Sequence, residues 1–127
     1  MMKKLIKLNY HSVFKYENDK ESFKYSGAAF LEELGDKTII SYEDKNKIKF
    51  ILKKDEVFLH NDTSVLHLHK NRVILNHYQT EYGILKLQTR LISYENDNTI
   101  KIKYALYDDM NLISEVYILL NYQILEN

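Results

Sequence analysis

The stretch "YQTEYGILKLQTRLISY", residues 78–94, decides how the rest of the chain is read. After Gly83 its side chains alternate. Leu85, Leu87, Thr89 and Leu91 fall on one face, and Lys86, Gln88 and Arg90 on the other. A period of two marks a strand with one face buried and one wet, whereas a helix would return its apolar residues every three or four positions. Gly83 stands where that strand begins, with no side chain to obstruct a turn or a close backbone approach. Leu85 and Leu87 are therefore expected to enter a core while Lys86 and Gln88 stay in water.

The same period recurs on both sides of this stretch. In "NKIKFILKK" (46–54), Ile48, Phe50 and Leu52 alternate with Lys47, Lys49 and, less neatly, Ile51; in "NTIKIKYALY" (98–107), Ile100, Ile102, Tyr104 and Leu106 share a face. Within "LISEVYILL" (112–120), Leu112, Ser114, Val116, Ile118 and Leu120 form the expected inner face, which turns Glu115 outward. The one segment with helical propensity is "AAFLEELGD" (28–36), with Gly35 as a C-cap. The alternating "SFKYS" before it leaves little room for a helix, so a strand through Gly27 into Leu31 is preferred. Composition agrees: 11 tyrosines, with Phe, Ile, Val and Thr, suit a pleated surface.

Proline is absent and glycine occurs only at 27, 35 and 83, so turns fall to Asn, Asp and Lys, which bend through their own side-chain hydrogen bonds. These residues cluster at 17–21, 34–36, 43–47, 53–56, 60–64, 69–72, 79–83, 95–99 and 107–111. Strands joined by such short turns form antiparallel meanders, and closing the meander removes edges that a chain without proline would otherwise guard with charge alone. The expected fold is all-β: a single antiparallel up-and-down barrel of about 8–10 strands over one domain, residues 1–127.

Composition also excludes function classes. Without cysteine there is no disulfide framework and no thiolate chemistry, which points to the cytoplasm. The N-terminal "MMKKLIKLNY" is interrupted by Lys7 and Asn9, so it reads as a strand and not as a signal peptide. No apolar run approaches the ~18 residues of a spanning helix, so a soluble protein is expected. Lys plus Arg and Asp plus Glu both number 18, so no net field draws nucleic acid or a membrane surface, and neither is expected as a partner. There is no Gly-x-Ser-x-Gly elbow and no glycine series for a phosphate loop, and the acidic residues cluster at turns. An enzyme is not expected, nor a cofactor.

Three segments together carry a family resemblance. The pattern Tyr78-x-Thr80-x-Tyr82-Gly83-x-Leu85-x-Leu87-x-Thr89, the Ser26-Gly27 pair upstream and "ISYED" at 40–44 resemble the YwiB-like family, small uncharacterised bacterial proteins with a calycin-like barrel. The likeness runs over residues 23–122. It implies a calycin-like or lipocalin-like barrel and no particular activity, substrate or cofactor. A chain without tryptophan lacks the Gly-x-Trp signature of true lipocalins.

Two sets of side chains could still carry chemistry. His67 and His69 fall on one face of a strand about 7 Å apart by strand rise, with His60 and Asp62 across a turn. Structural zinc wants four ligands, and these histidines point away from Leu66 and Leu68, so no metal site is expected. The lysines at 45, 47, 49, 53, 54, 101 and 103 read as wet strand faces; a protein- or nucleic-acid-interaction surface on them is the alternative function. The tyrosines exceed what apolar packing requires, and parity turns Tyr10, Tyr25, Tyr42, Tyr104 and Tyr122 inward. A small barrel can enclose one ligand. The expected function is binding of a small apolar or amphiphilic molecule in the barrel or at its mouth. The candidate ligand residues are Tyr25, Tyr42 and Tyr104, with Tyr78, Thr80 and Tyr82 at the rim.

Overall fold

The computed structural model describes residues 3–97 and 99–125. The described strands are β1 (Lys4–Lys15), β2 (Lys20–Leu34), β3 (Lys37–Glu43), β4 (Lys47–Leu52), β5 (Glu56–Asn61), β6 (Ser64–His69), β7 (Ile74–Thr80), β8 (Gly83–Asn96), β9 (Ile100–Asp108) and β10 (Asn111–Ile124). Each break expected from Asn, Asp, Lys and Gly falls between two of them. Met1, Met2 and Asn98, which belong to the expected first strand and to the break at 95–99, lie outside the described residues. The segment with helical propensity is strand, within β2. Where turns need a left-handed residue, aspartate and glycine supply most of them, with φ 55° at Asp62, 49° at Asp109, 62° at Gly35 and 124° at Gly83, and Met110 takes φ 71° beside Asp109.

All pairings between these strands are antiparallel, in the order β6-β5-β4-β3-β2-β1-β10-β9-β8-β7. The first and last strands are partners at the centre of the sheet, so its two edges are β6 and β7, neighbours in the chain. The inward faces follow the alternation: Ile6, Leu8, Leu31, Ile40, Leu52, Val57, Leu68, Leu91, Ile100, Val116 and Leu120 are buried in one continuous core.

Two expected inward residues are not buried. Leu85 is 50% exposed, near the start of β8 and beside the turn from β7. Leu112 is 57% exposed, because a bulge between Leu112 and Ser114 shifts the register of β10 against β9.

The edges β6 and β7 meet by means other than a backbone ladder. A single bridge, His69 to Arg72, pairs them beside their turn. Beyond it, side chains span the gap. Asn76 Oδ1 accepts the His67 N–H at 2.8 Å, and its Nδ2 donates to the His67 carbonyl at 3.3 Å and to Thr89 Oγ1 at 3.0 Å. Thr89 Oγ1 donates to the same carbonyl at 2.6 Å, and the Ser64 hydroxyl donates to the Gln79 carbonyl. Asn76, Thr89 and Ser64 are all buried, so the amide of Asn76 does for β6 what a neighbouring peptide group does elsewhere in the sheet.

Removing that amide should open the seam. Asn76→Ala is expected to lower the unfolding free energy by about 2–4 kcal/mol, since each buried group left unpaired costs ~1–3 kcal/mol. Urea unfolding measures the loss, and hydrogen exchange at the His67 amide should accelerate. Unchanged stability would mean that packing alone holds β6 against β7.

Candidate ligand cavity at the open end

In an up-and-down sheet alternate turns lie at the same end. At the end where the chain passes from β2 to β3 and from β4 to β5 the buried core is aliphatic, with Tyr94 partly buried against it. At the other end, where β1 passes to β2 and β3 to β4, rings take over: Tyr10, Phe14, Tyr25 and Tyr42 pack partly buried on the core. Flat rings meet edge and face and do not interdigitate as branched aliphatics do. The Tyr10 ring lies 5.6 Å from Phe50 and 6.4 Å from Tyr42, both tilted. Beneath them is a cavity of about 260 Å³ lined by Tyr10, Tyr42, Phe50, Leu59, Tyr78 and Tyr104, among others.

The wall beside the cavity is split. β2 pairs with β3 only from Phe30 to Leu34, so residues 20–29 of β2 carry no ladder on that side. Two tyrosines cover the split: the rings of Tyr25 and Tyr42 stack at 4.0 Å and 13°. Gly27 makes this possible, because a Cβ there would stand 3.0 Å from the Tyr25 hydroxyl and 3.2 Å from Cζ. The Tyr25 hydroxyl donates to the Ala28 carbonyl at 2.6 Å and so pins the ring along its own strand. A cleft of about 490 Å³ runs outside this stack past Phe23, Lys24, Asp44 and Lys45, and it shares Tyr10, Phe14, Tyr42, Ile48 and Asn61 with the inner cavity.

Among the described residues the cavity lining holds no Lys, Arg, Asp or Glu. Its one imidazole, His60, is held below the ordinary histidine range by burial and then by the charge of Lys49, so it is neutral at pH 7. The phenols move the other way. Burial raises Tyr104 and Tyr42 far above the ordinary range, with the neighbouring phenol of Tyr10 the next cause in each case. Tyr78 is also raised by burial, against hydrogen bonding from Ser64 and Asn61. Every phenol on the lining thus keeps its proton at physiological pH.

Of the residues expected from sequence at a ligand site, Tyr42, Tyr78 and Tyr104 line the cavity and Tyr25 lines the adjoining cleft. Thr80 and Tyr82 line neither. The Thr80 hydroxyl donates to the Gly83 carbonyl and accepts the Tyr82 N–H, and Tyr82 is 93% exposed. Both belong to the turn between β7 and β8. Tyr10, Phe14, Phe50 and Leu59 line it as well. Strand parity marks each of them as inward, but which inward residues border empty space depends on where β2 and β3 part.

The remaining candidates lie on the outer surface. His67 stacks on Phe58 at 4.3 Å and 9°, and its Nε2–H donates to Glu56 Oε1 at 2.6 Å. Among the described residues no group of three or more His, Cys, Asp or Glu side chains is placed to hold a metal. The lysines do not form one stripe: β4, with Lys47 and Lys49, is separated from β9, with Lys101 and Lys103, by β3, β2, β1 and β10. Lys103 is spent over the Tyr117 ring at 5.1 Å. Among the described residues there is no helix long and apolar enough to cross a membrane.

A family model described as a domain of unknown function, DUF1934, matches residues 6–120. Among solved structures, the crystal structure of the ywiB protein from Bacillus subtilis is similar, with a TM-score of 0.74 and 19% sequence identity over 95% of this chain and 93% of that one. At that identity the likeness is one of fold. No curated protein matches the chain.

The Glu56 pair has a consequence for acid stability. The hydrogen bond from His67 is the main cause holding the Glu56 carboxyl below the ordinary glutamate range. A carboxyl depressed in the folded state binds its proton more readily when the chain is unfolded. Its stabilisation is therefore present above the ordinary glutamate range and is lost as pH falls through the depressed value. Glu56→Gln is expected to flatten the acid side of the stability curve, measured by urea unfolding at stepped pH. A curve parallel to that of the unaltered protein would place the acid sensitivity elsewhere.

Proposed function

This chain belongs to the DUF1934 family of domains of unknown function, and from the barrel it forms we propose that it is a binding module. A small apolar or amphiphilic molecule enters at the open end and lodges in the cavity below Tyr10 and Tyr42. The observation that carries this reading is the cavity itself. The end near Leu31 and Leu52 has an aliphatic core with an outer cleft edged by charged residues, while the other keeps about 260 Å³ lined by rings and aliphatics and, among the described residues, by no carboxylate, ammonium or guanidinium. That volume lies just under the ~300–1,000 Å³ of pockets that take drug-sized ligands, which suits a single ring system or a short chain. Burying the apolar surface of such a molecule returns roughly 25 cal/mol per Å².

The cleft outside the Tyr25–Tyr42 stack supports the amphiphilic case. Lys24, Asp44 and Lys45 stand on it, so a polar group could remain in water there while the apolar part is buried. Binding is favoured over catalysis because proton transfer needs a group that titrates near the working pH. Around this cavity the phenols are raised and His60 is lowered, which moves every titratable group away from neutrality. A cytoplasmic protein without a resident cofactor fits the same reading.

The test is a thermal-shift screen of small aromatic and short-chain compounds against the unaltered protein and against Leu59→Trp, which fills the cavity. A true cavity ligand at a hundred times its Kd should stabilise the unaltered protein by about 2.7 kcal/mol and leave the filled variant unmoved. Equal shifts in both proteins, or none in either, would refute the proposal.

A further inference from the structure

We propose that the part of the ligand buried in this cavity is uncharged and carries a hydrogen-bond acceptor, a carbonyl or ether oxygen, which receives the hydroxyl of Tyr104. The inference rests on the binding role proposed above and specifies what the cavity selects.

Most of the buried hydroxyls and amides are already paired within the protein. Tyr10 donates to Ser12 Oγ at 2.7 Å, Tyr25 to the Ala28 carbonyl, and Ser114 to the Lys15 carbonyl at 2.9 Å. Asn76, Thr89 and Ser64 are committed to the seam between β6 and β7. Tyr104 differs from all of these. It is only 2% exposed, the largest fully buried side chain, held between Leu91 of β8 and Val116 of β10, and its hydroxyl makes no hydrogen bond to the described residues. Among the described residues no side-chain nitrogen or oxygen is both sealed from solvent and unpartnered, so this hydroxyl opens on the cavity that Tyr104 lines.

A phenol can give one proton and accept others, and the ungiven proton is the costlier omission, because oxygen lone pairs go unpaired more readily than buried donors. Burial and the nearby phenols keep that proton in place across the physiological range. The group that completes the site is thus an acceptor. It is also neutral: with no Lys, Arg, Asp or Glu among the described residues of the lining, a carboxylate or ammonium would lose its water without gaining a counter-charge.

Three near-isosteric probes separate the possibilities: acetophenone offers a neutral acceptor, cumene the same shape without one, and benzoate a charged one. Affinities are measured by NMR titration of the unaltered protein and of Tyr104→Phe, which removes a single oxygen. The unaltered protein should bind acetophenone more tightly than cumene, and benzoate most weakly. Tyr104→Phe should weaken acetophenone on the order of tenfold and leave cumene within about twofold, a retention that also shows the variant to be folded. If acetophenone and cumene respond alike to the substitution, or benzoate binds as tightly as acetophenone, the role of Tyr104 is overturned while the cavity still binds. If none of the three binds the unaltered protein, the binding role falls as well.

Discussion

Everything distinctive about this barrel depends on how β6 is joined to β7. A meander whose first and last strands pair at its centre leaves two edges in mid-chain, and an edge is a row of unpaired backbone donors and acceptors. Here the row on β6 meets the buried side chains of Asn76, Thr89 and Ser64. A side-chain amide carries a donor and an acceptor as a peptide group does, so Asn76 pairs with both the N–H and the carbonyl of His67 where no backbone ladder joins β6 to β7. Were these positions aliphatic, the His67 peptide groups would be buried without partners, and the sheet would have reason to splay. With them, the interior becomes an enclosed volume.

That volume is filled unevenly, and the unevenness comes from side-chain shape. Branched aliphatics interdigitate, so Leu31, Ile40, Leu52 and Leu68 pack into one dense cluster at one end. At the other end the Tyr10 ring tilts against Tyr42 and Phe50, and a space of about 260 Å³ is left beneath them. The split between β2 and β3 adds to this, because Tyr25 and Tyr42 must bridge two strands that no longer share hydrogen bonds. Gly27 lets the Tyr25 ring lie flat there. The wall beside the cavity is thus made of side chains and not of backbone, a construction that permits local movement without disturbing the ladders on either side.

The electrostatics follow from the same geometry. Charged residues occupy outward positions and turns, where water solvates them, and the Lys–Glu pairs they make are long surface contacts such as Lys101 with Glu95 at 4.0 Å, which contribute little. The interior receives only neutral polar groups. Those that bridge strands are fully bonded, and those at the open end are phenols whose protons burial retains. A barrel so arranged recognises shape and neutral hydrogen bonding, not charge.

Most of the architecture was legible in the residues. Alternation in segments such as 46–54 and 83–94 specifies strands and the face each buries, because a pleated strand has only two sides and water chooses between them. Asn, Asp and Gly clusters locate the turns, because few other residues tolerate the backbone angles found at Asp62, Gly35 and Gly83. The parity of Tyr10, Tyr25, Tyr42 and Tyr104 was readable on the same grounds. Three matters were decided only by the folded chain. The bulge near Leu112 changed which side chains face in, since register depends on the partner strand. Thr89 and Asn76 became a seam because β6 and β7 are edges, a property of the whole sheet and of no local pattern. The cavity exists because β2 leaves β3 beyond Phe30, so that Tyr42, Tyr78 and Tyr104 border a space while Thr80 and Tyr82, close by in sequence, remain in a turn. Periodicity records which way a side chain points; what it meets there is set by distances between strands that only the closed barrel defines.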